Sequence, residues 1–167
     1  MNKAKSLCFT GHRAAKLPWK YDEADVRCVQ MKETLRAAIE DKISQGVSTF
    51  YTGGQNGIDM IAGEVVIGLK RKYNIRLIVV LPFEGMANDW SEDLRQRFFA
   101  IMAACDEEVL LNHHFTSGCY RQRNAYMTSR CGHLIAVTDK SKSARSSTAQ
   151  TINMARMRGL NIIEIPV

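Results

Sequence analysis

Residues 49–66, TFYTGGQNGIDMIAGEVV, pass from a β-branched and aromatic stretch through three glycines into an apolar pattern of helical spacing. TFYT (49–52) reads as a short buried strand. Ile58, Ile61, Ala62, Val65 and Leu69 share one face of a following helix. Working outward, KSLCF (5–9) is a strand. The next segment puts Cys28, Met31, Leu35, Ile39 and Ile43 on one helical face, closed by Gly46. Downstream, IRLIVVLPF (75–83) is the strongest strand. A helix through Trp90, Leu94, Phe98 and Ile101 follows, then EEVLL (107–111), expected at a sheet edge because Glu107 and Glu108 suit one. CYRQRNAYMTSRC, HLIAVT, STAQTINMARMRG and NIIEIPV complete the alternation as helix, strand, helix and strand. Parallel neighbours need crossover connections, so strict alternation implies a parallel sheet with helices on both faces.

The chain has 167 residues, 46% of them hydrophobic and 24% charged, which fits one folded domain over residues 1–167. No apolar run reaches the roughly 18 residues that span a bilayer, and the basic start MNKAKSLCFTGHR has no secretory apolar stretch; a cytoplasmic protein with no membrane contact is expected. Five cysteines without a CxxC pair indicate neither a disulfide framework nor a zinc site. The net charge of +6 favours anionic partners, and its scatter along the chain suits a nucleotide as well as a nucleic acid.

In an open parallel sheet, ligands bind beyond the carboxyl ends of the strands, where strand order reverses. That rule selects four loops. After the first strand, Gly11, His12 and Arg13 offer a hydrogen-bonding imidazole and a planar guanidinium. After the second, Gly53, Gly54 and Gly57, with Gln55 and Asn56, can aim backbone N–H groups at an anion as a helix begins. The alternative use of these glycines is a tight turn and close helix–strand packing. Asp59, in the first helical turn, would repel a nearby anion, and either binds a sugar hydroxyl or caps the helix. After the third, Pro82, Phe83 and Trp90 stand where a base would be covered, although Trp90 with Phe98 also reads as core. After the fifth, Ser146, Ser147 and Thr148 open a helix with hydroxyls and unpaired N–H groups. Arg123 and Asn124 project from the preceding helix towards these loops. The pattern is neither GxGxxG after the first strand nor GxxxxGK[ST], so nicotinamide chemistry and ATP hydrolysis are unsupported. Adjacent His113 and His114 lack a supporting ligand spacing, so no metal is expected.

CFTGHR, YTGGQNGIDMIAGEVV, VVLPFEGMANDW, RQRNAYMTSRCGHLIAVTD and STAQTINMARMRGLNIIEI, in that order, resemble the SLOG superfamily of Rossmann-like proteins, in its YpsA-type branch. That superfamily joins the DNA-processing protein DprA with LOG-type nucleotide hydrolases. The resemblance implies binding roles for Gly53, Gly54, Gly57 and Asp59, and places Arg123 and Asn124 beside a substrate phosphate. LOG enzymes cleave the base from a nucleoside 5′-monophosphate using the acid of a PGGxGTxxE-type segment. The corresponding SARSSTAQT has no glycine and no acid, and Gln150 stands about where the glutamate is expected; Gln cannot accept a proton. These readings together imply a three-layer α/β/α fold of strand order 4-3-2-1-5-6 that binds a nucleotide-like small molecule as a sensor or regulatory module without turnover. Phosphoribohydrolase activity and DprA-like single-stranded DNA binding are the alternatives. No cofactor is required, and a homo-oligomer is compatible with the domain although no residue marks its interface.

Overall fold

The computed structural model describes residues 2–142 and 144–167; Met1, in the basic opening stretch, and Ser143, between the fifth strand and the last helix, lie outside the described residues. Six strands, β1 (Ser6–Gly11), β2 (Thr49–Thr52), β3 (Arg76–Leu81), β4 (Glu107–Leu110), β5 (His133–Thr138) and β6 (Asn161–Pro166), form one sheet of order β4-β3-β2-β1-β5-β6. Every pairing is parallel. The crossovers are α1 (Val26–Ser44), α2 (Ile58–Leu69), α3 (Glu92–Ala104), α4 (Cys119–Arg130) and α5 (Ser147–Met157). This is the architecture and the strand order that the sequence implies.

Strand side chains alternate between faces, and the core divides accordingly. Leu7, Phe9, Phe50, Leu77, Val79, Leu81, Ile135 and Val137 pack against α1, α2 and α3. Cys8, Tyr51, Ile78, Val80, Leu134 and Ala136 pack with Met127 of α4 and Ile152 of α5. Both faces are covered, so the inner strands are mostly apolar and buried along nearly their whole length. The outer strand β4 leaves Glu107 and Glu108 exposed, as expected of an edge.

Two sequence expectations shift by one or two residues at helix ends. On α1, Lys42 takes a buried position where Ile43 is only partly covered: its stem packs inward while Nζ reaches Gln45 Oε1 (3.4 Å) and Asn161 Oδ1 (3.3 Å). Trp90 precedes α3, which starts at Glu92 behind the Ser91 cap, and its ring meets Phe98 edge-on at 5.6 Å. All five cysteines are free thiols. Among the described residues no helix is long and apolar enough to cross a membrane, and no cluster of His, Cys, Asp or Glu is arranged to hold a metal ion. His113 and His114 are exposed, with His113 Nδ1 2.9 Å from Glu84 Oε1.

Candidate functional site

Strands β1 and β5 are neighbours, yet α1 carries the chain from β1 towards β2 and α5 carries it from β5 towards β6, away on the other side. Their following loops therefore separate and open a cleft of about 590 Å³, within the range of small-molecule sites. Thr10, Gly11, His12, Arg13 and Lys16 supply one wall; Tyr120, Arg123 and Asn124 of α4 supply another; Lys142, Arg145 and Ser146 to Thr148 supply a third, with Gln55 and Asp59 at the base. A side lobe of about 300 Å³ shares His12, Lys142, Ser146 and Thr148, and extends past Thr138 to Asn153, Arg156 and Glu164.

The glycines of GGQNG serve packing. A Cβ on Gly53 would lie 2.1 Å from Arg123 Nη1 and 2.6 Å from Asp59 Oδ2; the space it leaves is filled by those two groups. Gly54 backs onto Val79 and Phe98 in the core, and Gly57, at φ +95°, lets the start of α2 approach the His12 carbonyl and Ala14 amide. Several amides at this corner are used internally. Ile58 N–H donates to His12 O (3.2 Å) and Met60 N–H to Gln55 O (3.0 Å), while Gln55 N–H donates to the Asp59 carboxylate. Asn56 Oδ1 accepts from Ala14 N–H (3.2 Å), and Asn56 in turn donates to Gln55 Oε1. Gly53, Gly54, Asn56 and Gly57 thus shape the cleft from behind its wall, whereas Gln55 and Asp59 stand on it.

Two adjacent unused donors lie at the other helix. Ser146 caps α5 by accepting from Ala149 N–H (3.1 Å), and Gln150 N–H donates to Ser146 O (3.0 Å). The N–H groups of Ser147 and Thr148 have no acceptor among the described residues. They face the positive end of the helix dipole, where an anion is favoured. Five cationic residues, Arg13, Lys16, Arg123, Lys142 and Arg145, share the cleft wall with one carboxylate, Asp59.

Arg123 is buried, and its fork is held by Nη1 donating to Gly53 O (2.6 Å) and Nε to Asn124 Oδ1 (2.8 Å); Asn124 Nδ2 continues to Ser147 Oγ (3.4 Å). Burial draws the guanidinium below its ordinary pKa, and Asp59 opposes that shift. Burial likewise lifts the Asp59 carboxyl to about 6, although Arg123 and the Gln55 amide favour its charge. His12 is buried at the junction of the two lobes. Its Nε2 accepts from Asp139 N–H (3.2 Å), which leaves the proton on Nδ1, 3.5 Å from Thr148 Oγ1; burial lowers its pKa and favours the neutral ring.

The structure thus brings together Gly11, His12, Arg13, Gln55, Asp59, Arg123, Asn124 and Ser146 to Thr148. It does not bring in the expected aromatic wall: Trp90 lines a separate hollow with Tyr21, Asp89 and Asp93, beyond the 55–57 loop. The Pro82 carbonyl accepts from Asn112 Nδ2 (2.9 Å), and Phe83 packs edge-on to Phe115 and Tyr120. Tyr120, Lys16, Lys142 and Arg145 were missed. Tyr120 was discoverable, since it stands three and four residues before Arg123 and Asn124 and so shares their helix face. Gln150 is exposed and donates to Arg145 O (3.0 Å), off the cleft wall.

This chain is similar to several bacterial proteins: UPF0398 protein lin2003 of Listeria innocua, 32% identical over 81% of this chain and 71% of the relative, and UPF0398 protein ABC2016 of Shouchella clausii, 29% identical over 82% and 74%. Among solved structures it resembles the DNA processing protein A of Helicobacter pylori, described for its single-stranded DNA binding mode, with a TM-score of 0.63 at 14% identity. That match covers 99% of this chain and 66% of the other. It also resembles the structural-genomics target TM1055, with a TM-score of 0.53 at 14% identity over 95% and 72%. At such identities the structural likeness speaks for the fold. The family model described as the YspA SLOG family (YpsA) matches residues 7–165, nearly the whole chain, and the protein therefore belongs to that family.

Proposed function

We propose that the cleft between β1 and β5 binds a nucleotide or nucleotide-derived ligand by its phosphate, and that the protein acts as a sensor or regulatory module without turnover. The observation that carries this reading is the meeting, in one cleft, of the two unpaired N–H groups of α5 with a wall of five cations. A phosphate there would accept backbone hydrogen bonds along the helix dipole. The fork of Arg123, already ordered by Gly53 and Asn124, would cost little to recruit. Binding without chemistry is supported by Gln150, an exposed amide where LOG-type enzymes have their acid.

Calorimetric titration with nucleoside 5′-monophosphates tests this, comparing the wild type with Ser147→Pro. Proline is tolerated at the first helical position and deletes one donor. Saturable binding that weakens about tenfold in the variant is expected, as for one charge-assisted hydrogen bond. Equal affinity in the two proteins would refute the phosphate position.

One observation favours turnover as a second reading: Asp59, on the cleft wall with its carboxyl lifted to about 6, has the character of a general acid. Free base released from a nucleotide panel by the wild type, and not by Asp59→Asn, would support it. DNA binding makes a third expectation, an affinity that rises with oligonucleotide length and falls steeply with salt.

A further inference from the structure

We infer that Tyr120 and Arg13 clamp the base of the ligand: an aromatic heterocycle stacks on the Tyr120 ring, and the Arg13 guanidinium closes over it. The inference rests on the nucleotide reading above and adds what distinguishes a nucleotide from a bare sugar phosphate.

Tyr120 is the one Phe, Tyr or Trp on the cleft wall among the described residues, and it lies one helical turn before Arg123. Its ring is steadied from outside the cleft. Phe83 meets it edge-on at 6.1 Å, and Phe115 meets Phe83 edge-on at 5.6 Å. A ring held by such contacts needs little ordering on binding.

Arg13 supplies the other half. Its guanidinium carbon is 4.9 Å from the Tyr120 centroid, and the exposed Arg13 side chain makes no hydrogen bond or ion pair among the described residues. The cation–π contact is its one close side-chain contact of this kind, and the Asp59 carboxylate attracts it from farther off. Inserting a base requires the side chain to lift by roughly the thickness of one ring, about 3.5 Å. What it loses over tyrosine it regains over the base, because guanidinium groups stack on flat π-systems. Neither group reads the hydrogen-bonding edges of a base. The clamp therefore accepts any base and favours purines over pyrimidines through their larger stacked area.

The experiment separates the clamp from the phosphate site. Wild type, Tyr120→Leu, Tyr120→Phe and Arg13→Ala are titrated with adenosine 5′-monophosphate and with ribose 5-phosphate, which has the same sugar phosphate and no base. The wild type is expected to prefer the nucleotide about tenfold, as a base–aromatic stack confers. Tyr120→Leu brings that ratio to about one while holding ribose 5-phosphate within about twofold of wild type, and Tyr120→Phe keeps the preference. Arg13→Ala lowers the ratio through an exposed side chain, so it decides the matter even if Tyr120→Leu folds poorly. A full preference for the nucleotide in Tyr120→Leu, or in Arg13→Ala where the first variant does not fold, overturns the clamp and leaves the phosphate site standing. A wild type that binds neither compound overturns both.

Discussion

Gly53→Ala is the sharpest test of the packing behind the cleft. The new methyl carbon would stand 2.1 Å from Arg123 Nη1, 2.5 Å from Cζ and 2.6 Å from Asp59 Oδ2, where van der Waals contact requires about 3.5 Å. Gly53 has no positive φ, so alanine adopts its backbone without strain and the whole penalty comes from those contacts. Arg123 must withdraw by more than about 1 Å, and the Nη1 to Gly53 O bond of 2.6 Å is lost. A charge-assisted hydrogen bond contributes about 1.5–3 kcal/mol and overpacking costs about 1–3 kcal/mol. The two describe overlapping parts of one displacement, so about 3 kcal/mol is expected in all, or a melting temperature lower by about 6–12 °C for a domain of this size. Thermal unfolding followed by circular dichroism measures the loss, and a double-mutant cycle with Arg123→Ala locates it. With the guanidinium gone, Asp59 alone opposes the methyl group, and the cost of Gly53→Ala should fall by about 1–2 kcal/mol. A variant melting within about 2 °C of wild type, or costs that simply add, would refute the placement of Arg123.

Asp59 makes stability depend on pH. Its folded-state pKa of about 6 exceeds the ordinary 3.8, so between those values the folded chain keeps a proton that the unfolded chain releases. Wild-type stability therefore falls as pH rises through that window, by up to about 3 kcal/mol, whereas Asp59→Asn lacks this component; parallel urea-midpoint curves for the two would contradict the assignment. Affinity for sulfate, which keeps its charge throughout, should rise as pH drops below about 6, because Arg123 then faces a neutral acid. Gly68→Ala, within α2 and with no atom within 4 Å of the added carbon, should stabilise by up to about 1 kcal/mol, read as a melting temperature a few degrees higher. His12 should show, by long-range nitrogen-15 correlation at pH 6.5, a neutral ring protonated on Nδ1; a doubly protonated pattern would exclude the Asp139 contact. Arg97 bridges Glu23 and Glu64 at the surface of α2 and α3, and Arg97→Met should cost about 1 kcal/mol at low salt and less in 1 M salt.

The two helix starts that frame the cleft have divided their roles. At α2, the Ile58 and Met60 amides are taken by the His12 and Gln55 carbonyls, which pins the first loop to the second. At α5, the cap satisfies Ala149 and leaves Ser147 and Thr148 uncommitted.

The sequence alone determined the layered fold, because each element announces itself locally. TFYT and IRLIVVLPF are apolar enough to be buried on two faces, and the helices between them repeat at 3.6 residues, so alternation leaves a covered parallel sheet as the consistent outcome. The expected strand order, 4-3-2-1-5-6, in turn put the first and fifth loops at the switch point. Sequence could not decide what the glycines of GGQNG were for: whether Gly53 clears space for a phosphate or for Arg123, 70 residues away, depends on a contact that no local pattern encodes. The same holds for the aromatic wall. Trp90 is nearer in sequence to the third loop, but helix α4 carries Tyr120 into the cleft while the turn before α3 carries Trp90 beyond the 55–57 loop. Periodicity reports which side of an element is buried; only the packed chain selects its neighbours, because close packing is a property of all the surfaces that meet.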